Sequence, residues 1–197
     1  MDFTKQTDAD IWKLISKGNN PAFVYVYETY SDVLFRYGSR ITTDKSLIED
    51  SIHDVFLRIW TKRSFLTISC SLKFYLIRAF RRDLIKKVQE IRKKKYTEIS
   101  EMDRHWEVSF QELILENQII LESNENVKAA INHLSDRQRE AVFLRYIEGM
   151  EYQQIAELMQ IKVISLYNLI QKALKNLSQS LINKQTYIKS LVVFFCI

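Results

Sequence analysis

One proline and three glycines are spread over 197 residues. Sandwiches, barrels and Gly-dependent nucleotide folds draw on many more turn residues, so this poverty excludes them and favours helices with short connections. Cysteine is scarce too. Cys70 and Cys196 stand far apart, outside any CxxC or Cys/His grouping, which points to a reduced, intracellular setting. No segment approaches the ~20 apolar residues that span a bilayer. The N-terminus, MDFTKQTDADIWKL, carries acids and no long apolar stretch, unlike a secretory signal. No nucleophile–base pair, P-loop or dinucleotide fingerprint occurs. Glu49, Asp50, His53 and Asp54 crowd one helix, but no second cluster completes a metal shell, and His105 and His133 are isolated. The expectation is a cytoplasmic, all-α, non-enzymatic protein with no metal or cofactor and no membrane span.

What the chain does have is charge in blocks. The net charge of +5 hides a neutral segment 1–71, a segment 72–95 at +8, a segment 96–126 at −7 and a remainder at +4. A solvated helix face usually mixes signs, so a strongly basic block beside a strongly acidic one calls for a polyanion partner and a separate linker. This predicts two small helical domains, 1–95 and 127–183, joined by an acidic linker at 96–126 and followed by an apolar tail at 184–197.

Apolar spacing places the helices. A short helix over 11–16 is interrupted by Gly18-Asn19-Asn20-Pro21. Phe23, Val26, Tyr27, Tyr30, Leu34 and Tyr37 recur at helical steps up to Gly38, which reads as a C-terminal stop. Ser46 and Glu49 read as a capping box opening a helix with the buried stripe Ile48, Ile52, Val55, Phe56, Ile59 and Trp60. Asp50, Asp54 and Arg58 are expected on its outward face. After the loop 64–71, the stripe Leu72, Tyr75, Leu76, Ala79, Phe80, Leu84, Val88 and Ile91 marks a third long helix, with ten basic residues on its other faces. Those charges suit phosphates. Of the aromatics among them, Tyr75 and Phe80 are assigned to the core, and Phe74 is left open as a platform for an unstacked base. Ser135 and Gln138 form another capping box, starting a helix with Val142, Phe143 and Tyr146 that runs to Gly149.

Residues 152–172, YQQIAELMQIKVISLYNLIQK, have the spacing of a helix-turn-helix. Ile155, Ala156 and Met159 share one face of the first helix, and Leu166, Leu169 and Ile170 one face of the second. Small Ala156 permits a close crossing. Gln160 occupies the turn position where a left-handed residue is required, at a strain of roughly 1 kcal/mol or more without glycine. The second helix would project Lys162, Ser165, Tyr167, Asn168, Gln171, Lys172 and Lys175 towards a major groove. Asn168 and Gln171 can pair with adenine, Lys172 can reach guanine or phosphate, and Tyr167 can pack on a thymine methyl. Arg137 and Arg139 suit backbone phosphates.

The order of elements is specific. An acidic and apolar helix, DVFLRIW, precedes a basic one, YLIRAFRRDLIKK; an acidic linker follows, and then LSDRQREAVFLRYIEGMEYQQIAELM leads into the recognition helix. From about residue 9 to 182 the chain resembles the bacterial RNA polymerase sigma-70 family, in particular the extracytoplasmic-function (ECF) group, which keeps only regions 2 and 4. The resemblance implies core RNA polymerase as partner, through the β′ clamp helices and the β flap, with Asp50, Asp54, Arg58 and Trp60 contributing to docking. It also implies that loop 64–71 and the following helix engage the −10 promoter element and hold a flipped base, with roles for Arg78, Arg81, Arg82, Lys86 and Lys87. The recognition helix would bind the −35 element. An anti-sigma factor is a family-level expectation. A stand-alone helix-turn-helix repressor or activator is the alternative reading, and a nuclease a further one; the block 46–95 counts against the repressor. The apolar tail, ending in eight uncharged residues, is expected to cover an apolar face, with a docking strip for an inhibitory partner as the alternative.

Overall fold

Thr7 opens the first helix, its side-chain oxygen accepting the Asp10 N–H at 3.2 Å. In the computed structural model, residues 2–98, 130–131 and 133–182 are described, with side chains over 2–91, 130–131 and 133–180. Helix α1 (Asp8–Ser16) buries Ile11, Trp12 and Ile15. Asn19 caps α2 (Asn20–Gly38) by accepting the Ala22 N–H at 2.9 Å, and Pro21 sits in the first turn, where its missing N–H costs nothing.

Helix α3 (Lys45–Lys62) is capped two residues before the expected cap. Asp44 accepts the Leu47 N–H at 3.0 Å, so the cap is Asp44 and not Ser46. An aspartate caps as well as a serine, and starting earlier adds hydrogen-bonded turn ahead of the buried Ile48. Helix α4 runs Leu72–Glu98, three residues beyond the expected boundary at 95. Its start is capped twice: Ser71 Oγ accepts the Phe74 N–H at 3.2 Å, and Asp8 Oδ2, from α1, accepts the Leu72 N–H at 2.8 Å.

These four helices form one compact unit. Its core takes Val26, Leu34 and Tyr37 from α2 and Ile48, Ile52, Val55, Phe56 and Ile59 from α3. From α4 it takes Leu72, Phe74, Leu76, Ile77, Phe80 and Leu84. Phe74 is only 4% exposed, so it is a core residue and not a base platform. The buried arc of α4 is wider than one stripe because the helix packs against both α2 and α3. Tyr27 and Ile91, expected inside, are instead exposed, while Tyr30, Trp60, Tyr75, Ala79 and Val88 are half-buried. Gly38 does end α2, but through packing and not through a left-handed stop. The cap Ser39 is right-handed at φ −63°, and a Cβ at Gly38 would lie 2.8 Å from both Ile48 Cγ2 and Phe80 Cζ. Only glycine lets the three helices meet there.

The second unit starts with the expected capping box. Ser135 N–H donates to Gln138 Oε1 at 3.1 Å, and Gln138 N–H returns to Ser135 Oγ at 3.4 Å. Helix α5 (Asp136–Val142) then widens into a π turn over Phe143–Ile147, with Glu148 N–H donating to the Phe143 carbonyl at 3.1 Å. The expected single helix is thus broken by a wide turn, which buries the consecutive Phe143 and Leu144 together. Gly149 closes it at φ +64°. Helices α6 (Tyr152–Met159) and α7 (Val163–Ile182) form the helix-turn-helix. Gln160 is left-handed (φ 55°, ψ 48°), as the spacing requires. Its strain is offset by two bonds, from its own N–H to the Glu157 carbonyl at 3.2 Å and from Ile161 N–H to the Ala156 carbonyl at 3.0 Å.

Ile155, Ala156, Leu158 and Met159 of α6 and Leu166 and Ile170 of α7 are buried, and the two helices pack together, while Ala173 and Leu177 cluster with Ala130 and Leu134. Leu169 is half-buried. No strand occurs among the described residues, and no described helix is long and apolar enough to cross a membrane. The linker 96–126 (apart from the last turn of α4) and the tail 184–197 lie outside the described residues, as do His105 and Cys196.

Candidate nucleic-acid interface

Helices α3 and α4 are cross-linked by charge. Lys87 Nζ donates to Asp54 Oδ2 at 2.6 Å. The Arg58 guanidinium grips Asp83 through both carboxylate oxygens, with Nη1 to Oδ1 at 3.3 Å. The hydrogen bond to Asp83 is the main reason that Arg58 is held above its usual pKa. Asp54 and Arg58 are therefore not simple outward groups; both face α4. The pairing runs both ways across the seam: α3 gives Asp54 to Lys87 and Arg58 to Asp83, so opposite charges meet where the two helices pack side by side. Trp60 is half-buried, its ring 4.9 Å from that of Phe23, with the Arg63 guanidinium 4.3 Å from its centroid. Of the four expected docking residues, Asp50 alone is fully on the exposed side. Leu57, 53% exposed, joins it with His53. Sequence reading missed Leu57, although a leucine opposite the buried stripe was its signal.

Among the described side chains of α4 the exposed cations are Arg78, Arg82 and Lys86, while Arg81 is half-buried. The side chains of Arg82 and Lys86 are 75% and 76% exposed; that of Lys87, drawn to Asp54, is 28%. Arg78 lies 5.7 Å from the Phe74 ring centroid. Tyr75 sits among these cations, and burial pushes its phenol up in pKa despite the lowering influence of Arg58, Arg82 and Arg78. A second residue missed from sequence is Phe65. It is 89% exposed on a turn where the Phe65 and Leu66 N–H groups both donate to the Lys62 carbonyl, at 2.9 and 3.1 Å. Its signal was a lone aromatic in a loop without helical partners.

In the second unit Lys162, just before α7, and Ser165, Asn168, Gln171, Lys172 and Lys175 along it are all exposed. Tyr167 is exposed but engaged: its ring stacks on Tyr152, centroids 4.1 Å apart and planes within 9°, and the Arg145 guanidinium lies 4.8 Å from the Tyr152 centroid. This stack ties the recognition helix to α6 and takes one face of the ring expected to meet a thymine methyl. Arg137 is exposed. Arg139 is not available to a phosphate in the same way. Its side chain is 13% exposed and donates to the Leu134 carbonyl and to Asp136 Oδ1, both at 3.2 Å. Among the described residues, no group of His, Cys, Asp and Glu is placed to hold a metal.

Known proteins share this arrangement. The family model for Sigma-70 region 2 matches residues 26–95, and that for Sigma-70, region 4 matches residues 124–177. The ECF RNA polymerase sigma factor SigK of Mycobacterium sp. (strain JLS) is 22% identical over 180 residues, covering 89% of this chain and 91% of that protein. Among solved structures, the sigma factor RpoE in complex with the anti-sigma factor NepR, from Bartonella quintana, superposes with a TM-score of 0.55 at 18% identity. The alignment covers 84% of this chain and 97% of that one. CnrH, solved with the cytosolic domain of CnrY, gives 0.61 at 16% identity, over 92% and 100% of the two chains. The paired α3–α4 unit and the helix-turn-helix thus lie largely within the two matched regions, in that order, and the chain belongs to the sigma-70 family, as an ECF-type sigma factor that serves transcription initiation with core RNA polymerase.

Proposed function

We propose that the two units divide the promoter between them, with α3 docking the polymerase, α4 and loop 64–71 engaging the melted −10 element, and α7 reading the −35 element. The domain limits follow the charge blocks: region 2 over 1–95, an acidic linker over 96–126, region 4 over 127–183 and a tail over 184–197. The observation that carries this reading is the pairing of the helix bearing Asp50 and Leu57 on its outer face with a helix bearing Arg78, Arg82 and Lys86 on its own. A repressor has no use for a protein-docking helix fixed beside a second basic helix.

Asp50, with Leu57 beside it, is the centre of the docking face; Asp54, Arg58 and Trp60 hold that face in register with α4. Arg78, Arg81, Arg82, Lys86 and Lys87 supply phosphate contacts at −10, and Phe65 offers an aromatic surface to an unstacked base. Asn168, Gln171 and Lys172 read base edges at −35, flanked by Lys162, Ser165 and Lys175, while Arg137 meets backbone phosphate and Tyr167 and Arg139 stabilise the reader. The protein acts in the cytoplasm and performs no chemistry of its own; bond formation belongs to the polymerase. An anti-sigma factor is included as a second partner class, since RpoE has the same fold and was solved with one. The test is reconstitution with core polymerase and transcription from genomic fragments, comparing wild type with Asp50→Arg. The expected result is factor-dependent initiation, with the variant's polymerase affinity weakened by about 1–3 kcal/mol. Unchanged affinity would move the docking surface elsewhere.

A further inference from the structure

Helix α7 carries one large apolar side chain where a DNA reader is otherwise polar. Ile164 is 69% exposed, in the first turn of the helix (Val163–Ile182). Steps of four, three and four residues place Ile164, Asn168, Gln171 and Lys175 on one line, and all four are exposed. The buried residues Leu166, Ile170, Ala173 and Leu177 lie on the opposite side. Ile164 thus heads the line that points furthest from the core. The N-terminal residues of a recognition helix are the ones that reach base edges. Tyr167, the other apolar group on the outer half, is displaced around the helix and stacked on Tyr152.

An exposed β-branched apolar side chain at this place has one natural partner in the major groove. A thymine presents a C5-methyl group there, and no other base does. We propose that Ile164 reads the C5-methyl of a thymine in the upstream duplex, so that apolar contact supplements amide pairing by Asn168 and Gln171. The inference rests on the reading of α7 as the upstream-element reader. It assigns the thymine contact to Ile164 in place of Tyr167, whose stacked ring serves to hold α7 on α6.

Uracil isolates the interaction, since it differs from thymine by that methyl alone. The holoenzyme, reconstituted from the full chain and core polymerase, is first used to select an upstream element from a randomised promoter pool. The recovered duplex is resynthesised with each thymine in turn replaced by deoxyuridine, and binding is measured for wild type, Ile164→Val and Ile164→Ala. The expected result is one position where deoxyuridine weakens wild-type binding about three- to fivefold, the scale of one buried methyl. Ile164→Val should keep most of that sensitivity and Ile164→Ala should lose it, with every other position unchanged. An element that is selected and bound, but shows no deoxyuridine-sensitive position or an equal sensitivity in Ile164→Ala, overturns the assignment while leaving α7 as the reader. Failure to enrich any upstream element overturns the reading itself, and the assignment with it.

Discussion

The two units present their candidate residues in opposite ways. In the first, α3 and α4 lie side by side and pair charges in both directions: Asp54 of α3 holds Lys87 at 2.6 Å, and Asp83 of α4 holds Arg58. In the second, α7 rests on its neighbours along one side only, and its polar residues Ser165, Asn168, Gln171, Lys172 and Lys175, with Lys162 just before it, all remain exposed. Of the described cations of α4, Lys87 is therefore held by α3, whereas the sparse charge of α7 is all presented. Binding by the first unit is expected to depend on salt and on release of internal pairs. Binding by the second depends on base-edge chemistry, with affinity supplied largely by tethering to the polymerase.

The largest expected effect breaks the first unit at its tightest contact. Gly38→Val puts side-chain atoms where Ile48 Cγ2 and Phe80 Cζ already stand 2.8 Å from a bare Cβ. Chemical denaturation should show a loss of about 1–3 kcal/mol or more. Next comes the seam. Arg58→Ala leaves Asp83, whose side chain is 16% exposed, without its main partner, and should cost about 1–3 kcal/mol. The double change Arg58→Ala, Asp83→Leu should recover part of that loss. If Arg58→Ala is neutral, the pair is a surface ornament and the contrast between the units weakens. In the second unit the corresponding lock is a ring stack, so Tyr152→Ala should cost about 0.5–1.5 kcal/mol beyond lost burial, read by thermal unfolding.

Asp54→Asn sharpens the comparison from the other side. The Lys87–Asp54 pair is part-exposed at 28% and 47%, so its removal should change stability by less than about 1 kcal/mol. It should nevertheless release Lys87, and the salt dependence of single-stranded DNA binding should steepen by up to about one unit. An unchanged slope would mean that Lys87 does not reach phosphate.

The element order was legible because helical periodicity is a local signal. The Ser135 cap, the Gln160 turn and the α3 stripe follow from residues a few positions apart, whereas the caps Thr7, Asn19 and Asp44, though equally local, went unread. What escaped were contacts between helices distant in sequence. Gly38 reads as a stop until Ile48 and Phe80 are seen against it. Phe74 and Ile77 look peripheral to one stripe until α2 and α3 both cover α4. Asp54 and Arg58 look solvated until α4 lies beside them, and Asp8 gives no hint that it caps a helix 64 residues further on. The second unit was read more faithfully because α7 packs on one side only, so a single stripe separates inside from outside. Even there the Tyr152–Tyr167 stack, which joins two helices, was not legible.

Permanganate footprinting of promoter thymines tests the division of labour most directly. Arg82 and Lys86 are 75% and 76% exposed on α4, so replacing both with alanine should alter stability by no more than about 0.5 kcal/mol each. Holoenzyme carrying Arg82→Ala, Lys86→Ala should keep its upstream footprint while the thymines around −10 lose reactivity. Holoenzyme carrying Asn168→Ala, Gln171→Ala should show the reverse order of damage, losing the upstream footprint first. Full −10 reactivity in the α4 variant, with the upstream footprint lost instead, would contradict the account.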